Sequence, residues 1–151
     1  MDESPSGMEV HMNRDKQNQE GYDDPTAYEA ITNIEQEERF LRAFRPIVYI
    51  CSPYSGDVEH NVKAAQAYSR YAVDHGCIPI APHLLFPQIL RDDHPMERQL
   101  GLVFGLAVLC KCAEVWVFGS RISPGMEAEI KRARWKNIRL RHFTEECEEV
   151  L

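Results

Sequence analysis

An α/β fold built round a parallel sheet is what this sequence predicts, and three observations predict it. Short apolar runs rich in Val, Ile and aromatic residues alternate with longer stretches of helical periodicity between residues 46 and 143. Clusters of Gly, Pro, Ser and Asp follow several of these runs, where a chain leaving a strand has to turn. The 151 residues are 44% hydrophobic and 27% charged, which suits one domain with a real core and not a fibrous or unfolded chain. Alternation of this kind lays strands side by side and covers their faces with helices.

The elements follow in order. Residues 1–24 are polar and aperiodic, and the expectation is a disordered acidic tail. Pro25-Thr26 opens an amphipathic helix over 25–45, with Tyr28, Ile31, Ile34, Leu41 and Phe44 at helical spacing. Ile47–Cys51 is a β-rich run ended by Ser52-Pro53-Tyr54-Ser55-Gly56-Asp57. A helix from about Asp57 to His75 places Val58, Val62, Ala65, Tyr68, Ala72 and Val73 roughly on one face and closes on Gly76. Cys77–Ala81 is the second strand and runs into Pro82–Pro87. The stretch from Met96 to Cys112 is apolar almost all round, which predicts a helix buried on more than one side. Glu114–Phe118 is a third strand, Gly119–Gly125 a loop, and Met126 to about Lys136 a helix. Ile138–Phe143 alternates apolar and basic residues, the pattern of an edge strand. The product is a small flavodoxin-like three-layer sandwich with a parallel sheet of about four strands over residues 46–144, followed by an acidic C-terminal tail, 145–151.

Charge is segregated along the chain. Residues 1–38 hold eleven acids against Arg14 and Lys16, and residues 145–149 hold four more. Between them, residues 39–144 carry fifteen Lys/Arg against nine Asp/Glu, so the body is basic although the whole chain is −7. A mildly basic body suits a phosphate-bearing small molecule. Nucleic-acid binders usually show a denser basic stripe, and Lys131–Lys136 reads as a solvated helix face. No apolar run reaches the ~20 residues of a membrane span, and the N-terminus has no secretory pattern, so a cytoplasmic, membrane-free protein is expected. Five cysteines without a Cys-x-x-Cys pair predict no disulfide framework, and Cys110-Lys111-Cys112 has the wrong spacing for a structural zinc site.

In sheets of this type ligands bind beyond the carboxyl ends of the strands. Three loops qualify: Ser52–Asp57, Pro82–Pro87 and Gly119–Gly125. The first precedes a helix N-terminus, whose free N–H groups can hold an anion, although Ser55 or Asp57 is equally readable as an N-cap. It is neither a Walker loop nor a G-x-G-x-x-G fingerprint. The third leads through Ser123-Pro124-Gly125 to Glu127 and Glu129. These lie about 200° apart round the axis, so one faces a cleft when the other faces solvent. His83 stands just beyond the second strand, positioned to touch a ligand or to serve the fold.

Ile47-Val48-Tyr49-Ile50-Cys51-Ser52-Pro53-Tyr54 resembles the first strand and loop of the nucleoside 2-deoxyribosyltransferase-like superfamily. Gly125-x-x-x-Glu129-x-x-x-Ala133, after the strand Val115–Phe118, resembles its nucleophile motif. The resemblance spans residues 46–143. It implies cleavage or transfer at an N-glycosidic bond, with Glu129 attacking C1′ of a nucleoside or nucleoside 5′-monophosphate to form a glycosyl-enzyme, and with Tyr49 orienting it. Substrate would be held by Ser52, Tyr54, Ser55, Gly56, His83, Ser123 and Gly125, with no cofactor and no metal, in a homodimer or higher homo-oligomer. The exchange enzymes carry an aspartate where this chain has Ser123. A serine there resembles the 2′-deoxynucleoside 5′-phosphate N-hydrolases, in which it helps bind phosphate. The superfamily's base-side acid falls near Gly105-Leu106, where no carboxylate stands, and Glu97 lies two turns earlier. That departure keeps open an alternative: a nucleotide-binding or sensing module with the same fold and no catalysis.

Overall fold

The computed structural model describes residues 25–151, so the tail expected over 1–24 lies outside the described residues. Two units are present, Met1–Phe44 and Arg45–Leu151. Within the first, helix α1 (Pro25–Arg42) ends on Arg39 and Arg42, cations that complement the negative end of its dipole.

The second unit is the α/β body. In chain order it runs β1 (Ile47–Cys51), α2 (Val58–Asp74), β2 (Ile78–Ile80), two 3₁₀ turns (Pro82–Leu84 and Phe86–Gln88), α3 (Pro95–Leu109), β3 (Glu114–Phe118), α4 (Pro124–Trp135), β4 (Arg139–Phe143) and β5 (Glu149–Val150). The sheet order is β2-β1-β3-β4-β5, with the first four strands parallel and β5 antiparallel. Strand order reverses between β1 and β3, the position where open α/β sheets leave a crevice.

Side chains alternate across the sheet and so make two cores. Val48, Ile50, Trp116, Phe118 and Phe143 face α2 and meet its buried Tyr68 and Ala72. Tyr68 stacks on Phe118 with ring centroids 4.2 Å apart, and Phe118 stacks on Phe143 at 5.0 Å. Tyr49, Cys51, Val115 and Val117 face the other way, against Leu109 of α3 and Met126, Ile130 and Ala133 of α4. Three layers result, one helix on one face and two on the other. Asp57 caps α2 by accepting from His60 N at 3.2 Å, and Gly76, at φ +75°, turns the chain out of that helix.

Three expectations change. The sheet has five strands, because residues 145–151 do not all trail away. Thr144–Glu148 forms a tight turn and β5 pairs back on β4, with His142 opposite Val150 and Phe143 opposite Glu149. Consequently β4 is an inner strand. Its basic alternation serves a different purpose: Arg141 donates to both carboxylate oxygens of Glu149 at 2.9 and 2.7 Å and lies over the Trp116 ring at 5.0 Å. Third, α3 is not buried on several sides. Only Gly105 and Leu109 are buried in it, while Met96 (70%), Leu100 (43%) and Val103 (58%) are exposed. An apolar run reports the desire for burial and not the availability of a covering surface.

Candidate active site

The site begins with the two elements that flank the crevice. β1 is central, paired on both sides, and sets Tyr49 facing α3 and α4 with no solvent exposure. α4 starts at Ser123, whose hydroxyl accepts from Met126 N at 3.2 Å, with Pro124 in the first turn. Met126, Ile130 and Ala133 form its buried stripe. Glu129 lies beside that stripe and turns inward, whereas Glu127 is exposed, as their angular separation requires.

Tyr49 and Glu129, eighty residues apart, meet. Tyr49 Oη donates to Glu129 Oε1 at 2.8 Å. Cys51, two residues along β1 and on the same face, is buried beside them, its Sγ 3.9 Å from Met126 O. Burial raises the Glu129 carboxyl above its ordinary value, an effect opposed by the hydrogen bonds from Cys51 and Tyr49. The Tyr49 hydroxyl and the Cys51 thiol are both pushed far up, first by burial and then by the charge of Glu129, so both stay protonated and act as donors.

This pair forms the buried end of a cleft of about 370 Å3, a volume fit for a nucleoside-sized ligand. The cleft is lined by Tyr49, Ser52, Tyr54, Ser55, His83, Ser123, Gly125 and Glu129 together. Gly56 is not among its lining residues. It sits exposed in the turn ahead of Asp57 at φ +97°, a conformation glycine adopts without strain. Ser52 is 6% exposed and its Oγ lies 3.1 Å from His83 Nε2. Tyr54 approaches the same imidazole at 6.0 Å between ring centroids. Burial lowers the His83 pKa to about 4, so the ring is neutral at pH 7 and offers one donor and one acceptor.

Of the other lining residues, the Pro82–Pro87 loop and Glu97 were legible in the sequence, whereas Leu90, Arg91 and Asp92 were not. Pro82, Phe86, Pro87 and Leu90 make an apolar wall, with Phe86 set edge-on to Phe104 at 5.5 Å. Arg91, Asp92 and Arg98 are exposed at the rim, and Glu97 is partly buried there. The segment 82–94 folds back through successive short-range hydrogen bonds such as Leu90 N to Phe86 O at 2.8 Å. Its only sequence signals were two prolines and the charged Arg91-Asp92-Asp93. Gly105 lines the cleft beside Tyr49, and the position carries no carboxylate. Among the described residues no three His, Cys, Asp or Glu side chains gather as metal ligands, all five cysteines are free, and no helix is long and apolar enough to cross a membrane.

No curated protein matches the chain. A solved structure of a 2-deoxyribosyltransferase from the psychrotolerant bacterium Bacillus psychrosaccharolyticus, characterised as a biocatalyst for the synthesis of nucleosides, is similar in fold. The TM-score is 0.55 at 13% sequence identity, over 65% of this chain and 72% of that one. Residues 46–143, the parallel strands with their helices and the whole lining of the cleft, match the profile of the domain of unknown function DUF7768, and the chain belongs to that family.

Proposed function

We propose that this chain belongs with the nucleoside 2-deoxyribosyltransferase-like enzymes and cleaves the N-glycosidic bond of a nucleoside or nucleoside 5′-monophosphate, with Glu129 as nucleophile. The observation that carries the reading is the 2.8 Å hydrogen bond from Tyr49 to Glu129 at the buried end of the cleft. An oxocarbenium-like transition state is stabilised by a nearby anionic oxygen and then captured by it. The hydroxyl of Tyr49 occupies Oε1 and fixes the carboxyl plane, which leaves Oε2 to attack C1′. The C1′–N bond breaks as the C1′–O bond forms, and the departing base takes the electron pair and a proton. Water or a second base then attacks C1′ as the C1′–O bond to Glu129 breaks; the carboxylate is restored, and the attacking group gives its proton to the group that protonated the departing base.

The rest of the cleft suits such a ligand. The wall of Pro82, Phe86, Pro87 and Leu90 presents apolar surface to a base. Neutral His83, held by Ser52, reads hydrogen-bonding edges without adding charge. Ser123 and Ser55 stand where α4 and α2 begin, with Arg91 and Arg98 across the rim, a setting for a 5′-phosphate. With Gly105 at the position expected to bear the base-side acid, proton delivery falls to the rim carboxyls Asp92 and Glu97. Assembly as a homodimer or larger belongs to the same proposal.

Gly105 also favours a second reading, a nucleotide-binding or sensing module without turnover. One assay separates the two. The protein is incubated with a panel of nucleosides and their monophosphates, and free base is measured by chromatography. Base release that falls by about 10³-fold or more in Glu129→Ala, with the fold retained by circular dichroism, supports the enzyme. Undiminished release by that variant excludes the role of Glu129, and calorimetric binding without any release by the wild type supports the sensor.

A further inference from the structure

We propose that Gly105 is a positioning residue: the bare Cα lets α3 close on the Tyr49 hydroxyl and keep it seated against Glu129. A Cβ at residue 105 would lie 3.2 Å from Tyr49 Oη and 3.8 Å from Cβ and Cγ of Pro82. The first separation is tighter than ordinary van der Waals contact, and the atom pressed is the one that donates to Glu129.

The backbone does not explain this glycine. The positive φ values among the described glycines are at Gly56, Gly76 and Gly119, whereas Gly105 is inside α3. A glycine in a helix interior costs stability relative to alanine, so the position carries a disadvantage that local structure does not require. Gly101, one turn earlier, supplies the contrast. Its Cβ would meet only Leu90 Cδ1, at the comfortable distance of 3.6 Å.

Tyr49 has little room to yield. It is fully buried in β1, paired with Ile80 on one side and Val115 on the other. Its hydroxyl stands between Gly105 and Glu129, so a push from α3 is felt in the 2.8 Å bond. That bond is one of the interactions holding the Glu129 carboxyl down against the effect of burial. The inference deepens the reading of Glu129 as the reacting group, but its principal tests do not need turnover.

The experiment uses the full chain as wild type, Gly105→Ala, Tyr49→Phe and the double variant. Thermal midpoints and the Glu129 titration, by carbon-detected NMR of labelled glutamate, are read on each. Gly105→Ala is expected to lower the midpoint in the wild-type background. It should leave the midpoint unchanged or raise it in the Tyr49→Phe background, where loss of Oη makes room for the methyl group and alanine favours the helix. Both single variants should move the Glu129 titration upward, and the double no further than Tyr49→Phe. Where base release is measurable, kcat should fall about tenfold with KM little changed, the size expected for one hydrogen bond to a charged group.

An equal loss of midpoint in both backgrounds would overturn the proposal, because the clash would then lie elsewhere. So would a Glu129 titration left at its wild-type position by Gly105→Ala, or one moved as far by Gly101→Ala. Should Gly105→Ala alone fail to fold, folding of the double variant supports the proposal and failure of both overturns it. A wild type that titrates and melts as expected yet releases no base sinks the glycosidase reading and leaves this one standing.

Discussion

Glu129 and His83 are both withdrawn from water by the same cleft, and burial acts on them with opposite sign. For Glu129 the folded pKa lies above the ordinary value, so its contribution to stability is complete below about pH 4.5 and is lost as pH rises through the raised folded value. Glu129→Gln, which keeps an acceptor for Tyr49 and drops the charge, should therefore be more stable than wild type at pH 7. The two should converge below pH 4, and urea midpoints at the two pH values check it. For His83 the folded pKa is about 4 against 6.5, so the neutral ring contributes above pH 6.5 and that contribution is lost on acidification from 6.5 to 4. The difference amounts to about 3 kcal/mol. His83→Gln should flatten the fall of stability across that window, and a slope equal to wild type would contradict the buried, neutral ring. The residues that meet here were partly legible because two of them lie inside regular elements: Tyr49 belongs to a strand run, and Glu129 follows a Ser-Pro-Gly helix entry. Arg91 and Asp92 were not, because what brings them to the cleft is the return of segment 82–94, and local pattern does not encode a return.

At the scale of elements, β1 and β3 match the expected Ile47–Cys51 and Glu114–Phe118 residue for residue. Central parallel strands are buried on both faces, so their sequences are uninterrupted apolar runs with sharp ends. β5 has no such signature. Glu148-Glu149-Val150 is drawn into the sheet by a partner outside its own segment, the guanidinium of Arg141 bound through two oxygens of Glu149. Glu114, within 3.7 Å of the same arginine and accepting from Trp116 Nε1 at 3.1 Å, steadies it from the other side. Ending the chain after Thr144 should lower the denaturation midpoint, because the β4–β5 pairing, the Thr144–Glu148 turn and the Arg141–Glu149 contact are lost together. Glu149→Gln alone should cost less, since that carboxylate is exposed. Chemical denaturation of the two variants measures both, and an unchanged midpoint in the truncated chain would show that β5 is decoration. α3 is the converse case, where an apolar sequence was mistaken for a buried one.

On the scale of the molecule, part of the exposed apolar surface of α3 forms a stripe, with Leu102 and Phe104 exposed outside it. Met96, Leu100, Val103 and Ala107 follow a 4-3-4 spacing, the seam by which one helix packs along another. Read backwards the spacing is unchanged, so the seam is complementary to its own copy running antiparallel. The assembly proposed above is thus expected to use this face. Light scattering should give twice the 17.4 kDa of one chain, and Val103→Glu should return it to that single mass. A wild type already at 17.4 kDa would exclude the assembly. Overall architecture was legible because strand–helix alternation constrains topology strongly, whereas assembly was suggested only by resemblance to a family. The sheet's two margins carry a separate consequence. One is the three-residue β2, with Pro79 at its centre offering no N–H, and the other is the two-residue β5. Neither presents a ladder long enough to template a foreign strand. Under stress this protein should fail by melting and sticking through its helices, and should be slow to seed amyloid-like fibres from the folded state.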